Sequence, residues 1–166
     1  MKLFVTTILM LFPLLVVARV FDGKTSAYFV DRYGPAKSSN TVSSHPFTHT
    51  KSGGVVIKGQ FIAREFRDGE LPVQPVFFLP SMAVAAIRLQ LNRAWTSEQI
   101  EAALAAYGGE WRPISSNDMV KSWVAPDGSI AISMLTWIDI NAKAVVDLVQ
   151  KNIDEDAAKR KAIPKF

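Results

Sequence analysis

Residues 95–109, WTSEQIEAALAAYGG, read as one capped helix and its stop. Thr96 with Gln99 forms a capping box, in which the threonine hydroxyl takes the backbone N–H three residues on and the glutamine reaches back. Trp95 and Ile100 stand where a hydrophobic staple belongs, and Ile100, Leu104 and Tyr107 recur on one helical face before Gly108-Gly109 ends the run. The residues beyond this helix decide the fold class. Met119 to Ala125 and Ser129 to Leu135 are strand-like and flank the turn signal Pro126-Asp127-Gly128, and Trp137-Ile138-Asp139-Ile140 makes a further strand. A helix leading into hairpin strands predicts an α+β fold, with short helices packed on antiparallel β-sheet.

The same order occurs upstream. Thr25 or Ser26 caps a short helix through Tyr28, Phe29 and Tyr33, stopped by Gly34 with Pro35 behind it. Val55 to Ile57 and Gln60 to Phe66 are rich in β-branched and aromatic residues, and Asp68-Gly69 marks a hairpin turn. Val76-Phe77-Phe78 and the alternating run Ala85, Ile87, Leu89, Leu91 continue the sheet, and Pro72, Pro75 and Pro80 confine the Val76 strand to an edge or a short piece. Two similar helix-plus-hairpin halves result, either by duplication or by coincidence between generic units. The sequence leaves both open. Asn141 is placed to cap a last helix whose Val145, Leu148, Val149 and Ile153 form a stripe toward the sheet.

The chain divides accordingly. Residues 1–18 are a signal peptide, in which Lys2 precedes an uncharged apolar run broken by Pro13 and ended by Val16-Val17-Ala18. That run is shorter than the about 20 apolar residues of a membrane-spanning helix, and cleavage after Ala18 is expected. A retained N-terminal anchor held by Arg19 is the other reading. Residues 19–94 form the first helix-plus-sheet unit, containing a Ser/Thr-rich segment, 38–54, that reads as a mobile loop. Residues 95–156 form the second unit with the C-terminal helix, and 157–166 a disordered basic tail. Lys159-Arg160-Lys161 and Lys165 in that tail are solvated, or make a weak contact with anionic membrane.

With 166 residues, 49% of them hydrophobic, the chain can build a core without staples. It has no cysteine, which excludes thiol catalysis, disulfides, thiolate metal sites and lipid attachment through a thiol. The net charge of +4 is mostly interspersed with acids, so nucleic acid is not implied.

Tyr33-Gly34-Pro35, with strands and an Asp68-Gly69 hairpin behind it, resembles the unit of the SmpA/OmlA family and of the β-lactamase inhibitor protein family. The resemblance implies a helical pair packed on a small antiparallel sheet, singly in the former and in tandem in the latter. The second half, with Trp95-Thr96-Ser97-Glu98, Tyr107-Gly108-Gly109-Glu110-Trp111, Lys121-Ser122-Trp123 and Asp127-Gly128, is similar to a group of small exported bacterial proteins of unknown function. Roughly residues 27 to 140 are covered by that likeness. Unlike the SmpA/OmlA lipoproteins, the chain has no cysteine to lipidate.

Candidate chemistry is sparse. His45 and His49 have metal-binding spacing only on a helix, and Pro46 between them argues against one, so no metal and no cofactor are expected. Glu65, Asp68 and Glu70 cluster at a hairpin turn, where acids ordinarily stay solvated, and no nucleophilic serine pattern occurs. No catalytic residue is assigned. Trp111, Trp123 and Trp137 are the candidate partner-binding residues, with a core role as their other reading. The expected function is an exported, non-catalytic protein-binding or scaffold module of the cell envelope, working through a sheet face and the 38–54 segment. Its rivals are an Asp- or Glu-dependent hydrolase of cell-wall or carbohydrate material and a membrane-tethered accessory subunit.

Overall fold

The computed structural model describes residues 19–49, 53–108, 110–116 and 119–162. The apolar run 1–18, expected to be a signal peptide, and Lys165 of the basic tail lie outside them. Two helices and eight strands alternate as α1 (Ser26–Tyr33), β1 (Ser38–His49), β2 (Gly53–Asp68), β3 (Leu71–Phe78), β4 (Val84–Gln90), α2 (Ser97–Ala106), β5 (Arg112–Ser116), β6 (Val120–Val124), β7 (Ile130–Met134) and β8 (Trp137–Asn141), and α3 (Lys143–Ala162) closes the chain. All eight strands form one antiparallel sheet in the order β1-β2-β3-β4-β8-β7-β6-β5. The α+β class and the helices on antiparallel sheet are therefore as the sequence indicates.

Each half runs helix, then a four-stranded meander, and the halves join where β4 pairs with β8, Leu89 opposite Ile138. The Asp-Gly turns occupy the same place in both, between the second and third strands of each meander. There Gly69 has φ 59° and Gly128 φ 84°, which a side chain with a Cβ adopts only under strain.

Because side chains alternate along a strand, the sheet has two faces, and helices cover both. On one face α1 and α2 meet the sheet through Phe29, Ile100 and Leu104 against Phe66, Phe77, Ile87, Leu89, Ile138 and Ile140. On the other, Val145 and Val149 of α3 pack with Phe47, Ile57, Phe61 and Val76. Leu148, expected in the α3 stripe, is 39% exposed instead.

The described residues of segment 38–54 are strand rather than loop, and 50–52 lie outside them. Ser38–His49 is strand β1, paired along its length with β2, with a bulge between Val42 and Ser44. An edge strand needs only one partner and no buried face, so its polar composition concealed it. β2 pairs with β3 only from Phe61 to Asp68; before that it has β1 alone. This free half of the hairpin curls over the α3 face, bringing Thr48 of β1 to Asp139 and Asn141 of β8.

Three further expectations are corrected. β3 is an interior strand between β2 and β4, and its pairing with β2 lapses at Gln74 and Pro75, where the proline has no N–H to offer. Asn141 ends β8 and gives its amide to the Thr48 carbonyl at 3.1 Å, while the Ala142 carbonyl accepts the first N–H bonds of α3. Past Ala157 the chain stays helical to Ala162, with Lys159, Arg160 and Lys161 in the last turn, where cations complement the helix dipole.

Candidate functional site

Where the curled β1–β2 arm overhangs the sheet, a cleft of about 270 Å³ opens on the α3 face. Three cross-strand neighbours line it: Gln74 of β3 faces Arg88 of β4, and Arg88 faces Asp139 of β8. His45, Phe47 and Thr48 come from the arm, and Asn40 and Glu65 stand at the outer strands. The ladder registers that pair β3 with β4 and β4 with β8 thus put three polar side chains in one row.

Asp139 is the pivot. Arg88 grips it with one edge of its guanidinium, Nε to Oδ1 and Nη2 to Oδ2, each at 2.7 Å. The Thr48 hydroxyl donates to Oδ2 as well. Asp139 is 4% exposed, so without these donors a buried charge would stand unpaired. Beside the pair the Trp137 ring lies 5.5 Å from the guanidinium carbon, a cation–π contact. The Arg88 side chain keeps 40% exposure toward the cleft.

His45 is half-buried, with its ring 4.9 Å from that of Phe47 and 6.3 Å from that of Phe61. Burial pushes its pKa below the usual histidine value; the Arg88 charge lowers it further, and Asp139 pulls the other way. The imidazole is therefore neutral near pH 7. Glu65 pairs loosely with Arg67 at 3.4 Å on the exposed side. The buried Asp139 carboxylate accepts from both Arg88 and Thr48, so both of its oxygens are engaged within the site.

The three candidate tryptophans do not share a surface. Trp111 and Trp123 pack on the α1/α2 core, partly buried, and the Trp111 indole donates to the Leu104 carbonyl at 3.0 Å. Trp123 also flanks a shallow hollow with Pro113 and Lys121. Only Trp137 lies on the cleft face, under Arg88. Trp95, read as a staple, gives its indole N–H to the Thr136 carbonyl at 3.0 Å. His45 enters the cleft, whereas His49 lies against a groove lined by Ile114, Ile132 and Val146. Among the described residues no group of three or more His, Cys, Asp or Glu side chains is placed to hold a metal.

Arg88 and Asp139 are what sequence reading missed. Their signal is slight: a lone arginine at a polar position of an alternating strand and a lone acid within Ile138-Asp139-Ile140. Only the pairing of β4 with β8 joins them.

No family model, curated protein or solved structure matches this chain. Among the described residues no helix is long and apolar enough to cross a membrane.

Proposed function

We propose that this chain is an exported, non-catalytic binding module of the cell envelope, which takes a protein partner in the cleft between the β1–β2 arm and the sheet. The observation that carries the proposal is the Arg88–Asp139–Thr48 network. It holds an arginine fork rigid in the lining of an open cleft, with the Trp137 ring against the guanidinium, and arginine is one of the side chains that dominate protein–protein binding energy. A fork already immobilised loses little further entropy when a partner's carbonyl or carboxylate meets its open edge. Export is supported by the charged start and short apolar run of residues 1–18.

The test uses Asn40→Trp, an exposed position on the cleft wall, where an indole fills the opening and leaves the network intact. Envelope extract passed over residues 19–166 should yield a partner that the Asn40→Trp chain fails to retain, with both chains giving the same circular dichroism. Equal retention by both removes the cleft as the binding surface. Turnover of peptidoglycan or polysaccharide that Asn40→Trp abolishes would replace the module by a hydrolase.

A further inference from the structure

The first described residues of the chain are built into the second half of the fold. Val20 is 1% exposed within the α1/α2 core, and its backbone N–H donates to Asp127 Oδ2 at 2.8 Å. Asp127 is the aspartate of the β6–β7 Asp-Gly turn, and its other oxygen accepts from Ser129 N at 2.9 Å. One carboxylate therefore closes a hairpin and anchors the chain start, 107 residues away in sequence. Next to Val20, the Arg19 nitrogen donates to Asp22 Oδ2 at 3.2 Å, and Asp22 N returns a bond to the Arg19 carbonyl at 3.0 Å.

The Arg19 nitrogen is also one atom of the Ala18–Arg19 bond, where cleavage of the signal sequence is expected. A peptidase must draw the residues on both sides of the scissile bond into extended form in its own cleft. In the folded domain Arg19 is folded into a turn and Val20 is a core residue, so neither is free to do that. We infer that removal of the signal sequence precedes folding of this domain, and that docking of Val20 on Asp127 closes the Ala18–Arg19 bond to signal peptidase. Hydrolysis adds the hydroxyl of water to the Ala18 carbonyl and its proton to the Arg19 nitrogen, and the new Ala18 carboxyl then gives up its proton, so that the amine becomes an ammonium. The resulting ammonium then stands where that nitrogen already donates to the Asp22 carboxylate, now as a charge-assisted bond. Folding thus locks the processed end in place, and an unprocessed chain that folds first stays tethered by its apolar segment. The inference rests on the export reading.

Three substrates for purified signal peptidase test it: a synthetic peptide of residues 1–25, the full 166-residue precursor refolded in detergent, and the same precursor carrying Val20→Ser, with folding checked by near-ultraviolet circular dichroism. The peptide should be cut between Ala18 and Arg19. The folded precursor should be cut about 100-fold more slowly, the population cost of exposing one buried valine and breaking one charge-assisted hydrogen bond. Val20→Ser should restore most of the peptide's rate. Asp127→Asn, which weakens the same anchor from the other side, should restore part of it. Equal rates for peptide and folded wild-type precursor overturn the inference, and so does a folded Val20→Ser precursor as resistant as wild type. If even the peptide is not cut at this bond, it is the cleaved-signal reading that fails.

Discussion

At the scale of single residues, the chemistry concentrates on Asp139, whose burial makes its partners obligatory. Asp139→Ala leaves the Arg88 fork and the Thr48 hydroxyl without their acceptor. Because Arg88 can turn toward solvent, the loss should be about 2 kcal/mol rather than the larger figure for a sealed pair, measured by urea unfolding. Thr48→Val removes one bond to the carboxylate and should cost about 1 kcal/mol. His45 makes stability depend on pH. Its folded pKa lies below the unfolded value of about 6.5, so the unfolded chain binds the proton more readily. That contribution is whole above about pH 7 and is lost as pH falls below about 6.5 toward the folded pKa, since the unfolded state then gains protons that the folded state refuses. His45→Phe, packed on Phe47 and Phe61, should flatten the fall in urea midpoint between pH 7.5 and 5; an unchanged slope would assign the pH response to other groups.

Elements obey local rules wherever those rules act alone. The Thr96 capping box forms as read, with Gln99 N to the Thr96 hydroxyl at 3.2 Å and Thr96 N to the Gln99 side chain at 3.1 Å. Thr96→Ala should lower stability by about 1 kcal/mol, read from the thermal midpoint. Strand β1 shows where local rules run short. Ser38 to Ser44 carry little apolar signal, yet β2 supplies a ladder, interrupted only at the bulge between Val42 and Ser44, and turns them into strand. The arm beyond the Val42–Ser44 bulge has pairing on one side only, so in hydrogen exchange the amides of residues 53–58 should open well before those of 61–66, which β3 also holds. Comparable protection in the two stretches would mean that contacts with β8 and α3 hold the arm as firmly as the sheet does.

For the whole molecule, the β4–β8 junction makes one sheet of two similar halves and one core of α1 and α2. Ile87 and Ile140 pair across it, both fully buried. Ile140→Ala should cost about 3 kcal/mol and lower a single cooperative transition seen alike by far-ultraviolet circular dichroism and tryptophan fluorescence. Two separated transitions would mean that the halves are independent. The halves differ chiefly in the length of the first hairpin, a long arm in one and two five-residue strands in the other. That asymmetry creates the cleft. By itself the sequence determined helices α1 and α2, their Thr25 and Thr96 caps and the Asp-Gly turns, because these depend on hydrogen bonds and periodicities within a few residues. Tertiary structure alone decided that β3 is interior, that the arm curls back, and that Arg88 meets an aspartate 51 residues away. The reason is that strand order and register are properties of the folded sheet, and a shift of one residue between β4 and β8 would turn the same arginine to the opposite face from the acid it binds.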